Sequence, residues 1–137
     1  MSNILPAIIA ILKADATLTS IVGDRIFGDF MPEDTQKPSL LVFTTSEVSE
    51  NCLAGFVGFE DARIRVEAYG LTRESSDAVV EAARMSLDGK LGVYSGVPIK
   101  CISQATGKLH LVDIPNDGSD RWQFRTAQSF EISYNTF

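Results

Sequence analysis

One histidine, one tryptophan and two cysteines leave this chain short of the residues that most often carry chemistry. A Ser/His/Asp or Cys/His triad could be built only around His110. That residue sits in Lys108-Leu109-His110-Leu111, an apolar-flanked strand or loop, and no nucleophile signature surrounds Cys52 or Cys101. A structural histidine is expected. Paired Cys or His spacings are missing, so no metal and no cofactor are expected. The acidic stretch starting at Asp113 fails as a calcium loop: Asp117 and Gly118 fit positions five and six, but Pro115 stands at three and Phe124 at twelve. Gly89-Lys90 and Gly107-Lys108 are each followed by leucine and lack the Ser/Thr and upstream glycine of a phosphate-binding loop. No enzyme is expected.

Basic residues are also scarce. Twelve Lys and Arg against eighteen Asp and Glu give a net charge of −6 and a pI near 4.7. This acidic balance argues against nucleic-acid binding as the main task, because Lys and Arg neutralising phosphates supply most of that affinity. Long hydrophobic runs are missing too. The apolar start, Ile4 to Leu12, lacks a basic leader and ends at Lys13. It is far shorter than the roughly 20 residues that span a bilayer. It reads as a helix buried on one side, with no membrane involved and synthesis in the cytoplasm. With so few cysteines in a chain of 137 residues, a core can form without a staple. Two free thiols in a reducing compartment are expected, Cys101 on an apolar strand face with Val97 and Ile99.

What is present is a patterned α+β chain. Asn3 can cap a first helix with Pro6 in its first turn, and Ile4, Ile8, Ile11 and Leu12 form its inner stripe. Asp15 starts a short helical turn carrying Leu18, Ile21 and Val22, closed by Gly23. Arg25-Ile26-Phe27 is extended, Met31 to Pro38 irregular, and Leu40-Leu41-Val42-Phe43 a strand inside the sheet. A second helix begins near Thr72 or Ser75, turns Val79, Ala82, Ala83 and Leu87 inward, and ends at Gly89. Val97, Ile99 and Cys101 mark another strand, and Asp113 to Asp120 a polar loop. The last strand sets Trp122, Phe124, Thr126, Gln128, Phe130, Ile132 and Tyr134 on one face, with Gln123, Arg125, Ser129, Glu131 and Ser133 opposite. The expected fold is α+β: a mostly antiparallel sheet of four to five strands with two main helices packed on one face, as one domain over residues 1–137.

The most informative stretch runs from Leu53 to Gly70. A glycine-punctuated loop carrying Phe56, Val57 and Phe59 leads into a strictly alternating strand. Ala62, Ile64, Val66 and Ala68 point one way; Arg63, Arg65, Glu67 and Tyr69 point the other. An apolar loop anchored on a sheet suggests a contact surface for another chain. Leu53, Phe56, Val57, Phe59, Arg63, Arg65 and Glu67 are the candidate subunit or partner interface. Alternatively, both phenylalanines fold back onto the sheet.

The order of these pieces resembles a known family. An N-terminal helix precedes Leu18-Thr19-Ser20-Ile21-Val22-Gly23-Asp24-Arg25-Ile26-Phe27. A proline-flanked segment and an apolar strand come next, then Leu53-Ala54-Gly55 with Gly58, the Arg63 to Tyr69 strand and the Thr72 to Leu87 helix. This is similar to the tail-completion, or tail-terminator, proteins of long-tailed bacteriophages, prophages and gene-transfer agents. Arg125-Thr126-Ala127-Gln128-Ser129-Phe130-Glu131-Ile132 resembles that family's closing strand. The likeness is strongest from Leu18 to Leu87, and the Lys108 to Asp120 loop has no counterpart. The resemblance implies a structural virion protein, assembled in the bacterial cytoplasm. Its partners would be further copies of itself in a generally hexameric ring, the tail tube protein, and the head-completion or neck protein. The ring would sit at the head-proximal end of the tube, stop its growth and give the neck a docking face. DNA would pass through the lumen without specific binding; six copies at −6 each carry −36 formal charges. The competing expectation is a small cytosolic ligand-binding or accessory subunit without catalysis.

Overall fold

The computed structural model describes residues 4–32, 35–36, 38–52, 55–113 and 123–135. Three helices and seven strands follow one another as α1 (Leu5–Lys13), α2 (Ala16–Val22), β1 (Ile26–Gly28), β2 (Ser39–Cys52), β3 (Gly55–Gly70), α3 (Arg73–Leu87), β4 (Gly92–Tyr94), β5 (Val97–Gln104), β6 (Leu109–Asp113) and β7 (Gln123–Asn135). The strands form one sheet in the order β1-β2-β3-β7-β5-β4, with β6 also on β7. The class is α+β as expected, but the sheet is larger and mixed. β1 lies parallel to β2, while the other registered pairs are antiparallel.

Local chemistry accounts for the helices. Asp15 caps α2, its Oδ1 accepting from Leu18 N–H at 2.9 Å, and Gly23 ends it at φ 61°, a left-handed value that glycine adopts without a Cβ clash. Thr72 caps α3 by accepting from Ser75 N–H at 3.0 Å, with Glu74 in the first turn where a carboxylate suits the helix dipole. The residue at the N-cap of α1 is Ile4, without a side-chain cap; Asn3 lies outside the described residues.

The core lies on one sheet face. Leu40, Val42, Ala62, Ile64, Val66, Ala68, Phe130, Ile132 and Tyr134 meet Ile4, Ile8, Ile11, Leu12 and Leu18 from α1 and α2, and Val79, Val80, Ala83 and Leu87 from α3. Each fully buried aliphatic side chain contributes about 1.5–3 kcal/mol. One polar seam crosses this layer: the Ser76 and Thr126 hydroxyls bond at 2.9 Å, tying α3 to β7. Gly70 ends β3 directly beneath α3, where an added Cβ would come within 2.9 Å of Ser76 N. Only glycine allows that turn from strand to helix.

Three local expectations are corrected. The glycine-punctuated loop is mostly strand, because β3 already begins at Gly55 and pairs with Cys52, leaving residues 53–54 to join it to β2. The Lys108 to Asp120 loop contains β6, with Leu109 opposite Ala127 and Val112 opposite Phe124. Cys101 is exposed and not on the apolar face. A register shift between Ile99 and Cys101 reverses the alternation, so Val97, Ile99 and Ile102 are the buried set.

β5 and β6 take successive halves of the same edge of β7. Gln104 stands opposite Phe130 and Leu109 opposite Ala127. The intervening residues bow out, and the N–H groups of Ala105 and Thr106 converge on Ser129 C=O at 2.9 and 3.4 Å. Lys108 anchors the bow to α3, its Nζ 3.1 Å from Asp77 Oδ1 and 2.7 Å from Glu81 Oε2. Arg84 also pairs with Glu81, so Arg84 first and Lys108 second hold the Glu81 carboxyl well below its usual range, at about 2.

Candidate functional site

The sheet face turned away from the helices carries three of the sequence-chosen residues. Arg63, Arg65 and Glu67 follow one another at a spacing of two on β3, opposite Glu131, Ser129 and Ala127 of β7. Arg63 is exposed and pairs across the strands with Glu131, Nη2 to Oε2 being 3.8 Å. Such an exposed pair stabilises the monomer by at most about 1 kcal/mol and leaves its guanidinium available to a partner.

Glu67 behaves differently from its neighbours. Alternation places it outward, and the backbone does so, yet it is only 7% exposed. Arg65, Tyr69 and Arg125 surround its carboxylate. Tyr69 donates its hydroxyl to Oε2 at 2.8 Å, Arg65 Nε lies 3.0 Å from Oε1, and Arg125 Nη1 lies 3.8 Å from Oε2. The Arg65 approach is an ion pair off the line of a hydrogen bond. Burial, and then the bond to Glu67, raise the Tyr69 hydroxyl above its usual pKa. The result is a cross-strand network that fixes two guanidinium groups on a sheet surface. Planar guanidinium groups held in place donate to carboxylates and backbone carbonyls of a partner with little further ordering.

Arg125 and Tyr69 were not among the chosen interface residues. Tyr69 was visible as the next outward position on β3. Arg125 was visible on the outward face of the last strand, but only the register, which sets it opposite Tyr69, brings it to Glu67.

The remaining candidates lie at the far end of the β2–β3 hairpin. The backbone at Phe56 pairs with Asn51 and that at Phe59 with Asn135, so this arm continues the same two strands. Leu53 lies outside the described residues, as do the side chains of Phe56, Val57 and Phe59. Shallow clefts also open on this surface and beside the helices. One, about 350 Å³, opens where β5 gives way to β6, beside Arg65, Thr106, Leu109 and Ser129. Another, about 370 Å³, lies between α2 and α3, lined by Ile21, Ala78, Ala82 and Met85. Among the described residues no group of three His, Cys, Asp or Glu side chains is placed to hold a metal ion. His110 is exposed on β6, its Nδ1 3.3 Å from the Thr126 hydroxyl. No single helix among the described residues is long and apolar enough to cross a membrane.

Comparison with known proteins gives this surface its setting. No curated protein matches the chain by sequence. Among solved structures, the fold matches a chain from the virion of a native gene transfer agent (GTA) particle. The TM-score is 0.67 over 94% of this chain and 92% of that one, at 16% identity, which establishes a shared fold. The family of tail completion protein gp17 matches residues 6–103, from the first helix to the end of β5. With that match over most of its length, and with helices, hairpin and sheet in the order the sequence resemblance implied, the chain belongs to the tail completion protein gp17 family of phage tail proteins.

Proposed function

We propose that this chain is a structural virion protein acting as a single domain over residues 1–137. It caps the head-proximal end of the phage tail tube as a ring, hexameric when assembled. The ring ends tube polymerisation and presents the face on which the head-completion or neck protein docks, at the neck of the virion. DNA traverses the lumen without specific binding, and the part is mechanical, with no catalysis, metal or cofactor. Family membership supports the tail setting. The observation that carries the reading beyond it is the two-sidedness of the sheet. One face is closed by three helices, while the other bears the fixed Arg65–Glu67–Arg125 network and continues into the projecting β2–β3 arm. A sheet with one solvated face and an ordered ionic surface suits side-by-side and end-on contacts between protein subunits.

In this reading Leu53, Phe56, Val57 and Phe59 at the hairpin end, with Arg63, Arg65 and Glu67 on the sheet, are the contact residues. Deleting the gene is expected to give overlong tails, or tails unattached to filled heads, under negative-stain microscopy. Supplying Phe56→Asp in place of the wild type is expected to reproduce that defect with an unchanged circular dichroism spectrum, because a desolvated charge replaces an aromatic anchor. Tails of normal length joined to filled heads in the deletion would refute the role in tail completion. Normal tails with Phe56→Asp would refute only the assignment of the arm.

A further inference from the structure

The sheet ends in two open edges of complementary character. β1 covers β2 only as far as Val42, opposite Gly28, where Asp29 N–H closes on Val42 C=O at 2.9 Å. From Thr44 to Cys52, β2 pairs with β3 alone. The alternation that turns Leu40 N–H outward to Arg25 C=O, at 3.0 Å, turns the peptide groups of Thr44 outward as well. Among the described residues no strand lies beside them. Thr44 to Glu47 contains neither lysine nor proline, two residues that protect such an edge from pairing, and its one register shift lies between Thr44 and Ser46.

The opposite end of the sheet is β4, which among the described residues pairs with β5 only. Beside it stand Leu91 and Val93, 69% and 67% exposed, and the exposed Lys100 of β5. The two ends lie at one height. Glu47, Ala62, Ile132 and Ile102 form a single row across β2, β3, β7 and β5, and Lys100 is two residues along from Ile102. β2 and β4 also run in the same direction, because three antiparallel steps lead from β2 to β5 and a fourth to β4.

From these edges we infer that the open edge of β2 receives the β4–β5 edge of a second copy of this chain. The sheet then continues from copy to copy, with Glu47 of one facing Lys100 of the next. A copy related by rotation brings β2 and β4 together parallel, main-chain bonds supply the affinity, and the acidic and basic ends select the register. Because the two edges differ, the contact is heterologous, the kind that forms a ring where its rotation closes. The inference rests on the ring reading above and names the surface through which the ring closes.

The test uses the full chain carrying Cys52→Ser and Cys101→Ser, so that only introduced thiols react. Glu47→Cys and Lys100→Cys proteins, mixed at high concentration and on purified tail tubes, are expected to give a bismaleimide-bridged dimer that neither gives alone. A chain carrying both substitutions is expected to give a ladder ending at the copy number of the ring. Thr44→Pro removes one outward N–H without touching the β2–β3 ladder and is expected to weaken assembly at least tenfold by light scattering. Should that variant not fold, the cross-linking still decides. Multimers by light scattering without the mixed dimer overturn the edge contact and leave the ring reading intact. Monomers throughout, in solution and on tubes, overturn both.

Discussion

Replacing Tyr134 by phenylalanine removes one oxygen from a buried polar contact of the sheet. Tyr134 is fully buried and donates its hydroxyl to Glu60 Oε2 at 2.6 Å, and Glu60 is itself only 1% exposed. The ring remains, so no cavity opens, and the change reports on the hydrogen bond alone. A hydrogen bond involving a charged partner contributes about 1.5–3 kcal/mol. At this chain length each kcal/mol moves the melting temperature by roughly 3–5 °C. Tyr134→Phe is therefore expected to melt about 5–15 °C below the wild type by circular dichroism or calorimetry.

The pH dependence gives a second, independent readout. Burial first, and then Glu60, push the Tyr134 hydroxyl well above its ordinary pKa of 10. The folded state thus holds this proton more tightly than the unfolded chain. Its stabilisation is complete below pH 10 and is lost as pH rises above 10. The wild type should lose stability there more steeply than Tyr134→Phe. Equal melting temperatures at pH 7 together with parallel alkaline profiles would refute the assignment of this pair as a stabilising contact.

Val66 lies in the core and Arg65 on the open face, so Val66→Asp is expected to leave no folded protein in a thermal melt, whereas Arg65→Ser costs about 1 kcal/mol. A larger loss for Arg65→Ser would show that the register is inverted. Lys108→Ala removes two ion pairs that are partly open to solvent, and the expected cost is below about 1 kcal/mol. Because the folded Glu81 pKa lies near 2, below its ordinary 4.5, the support of this carboxylate is present above pH 4.5 and fades as pH falls toward 2. Acid titrations of the wild type and Lys108→Ala should converge over that window.

The elements that were legible in the sequence are those whose burial follows one period without interruption. Ile4, Ile8, Ile11 and Leu12 on α1, the Ala62 to Ala68 alternation on β3 and the Thr126 to Tyr134 alternation on β7 all bury the faces their spacing announces. Asp15 with Gly23, and Thr72, likewise marked helix ends through their capping chemistry. What escaped was short or interrupted. β4 has three residues, too few for a period to show, whereas β1, equally short, was legible as the extended piece Arg25-Ile26-Phe27. β6 follows a bow in the chain and exposes Leu109 and Val112, so its pattern contains no buried face. Lys100 shifts the register of β5 and carried Cys101 to the wrong side. Gly55 and Gly58 read as a loop because glycine weakens a strand locally, yet β3 begins at Gly55 and pairs Gly55 and Phe56 with Cys52 and Asn51 before a register shift. The open sheet face was partly legible: Arg63, Arg65 and Glu67 were placed on the side turned away from the helices. Their union with Arg125 depends on tertiary register, which no single segment encodes.

The place of β7 in the sheet sets the order in which this chain can mature. β7 follows every other strand in sequence, yet it stands in the middle, with β3 on one side and β5 and β6 on the other. As the polypeptide leaves the ribosome, the β1-β2-β3 ribbon and the β4-β5 ribbon exist before anything joins them. α3 meanwhile rests on β3, α1 and α2 but lacks β7, and the Ser76 hydroxyl waits for Thr126. The sheet is therefore complete only once β7 is available to pair, through contacts distant in sequence. Non-local pairing of this kind is slow, and it leaves strand edges uncovered until the last moment. A nascent chain is consequently unable to offer a finished subunit, so each copy joins an assembly only after its own synthesis has passed β7.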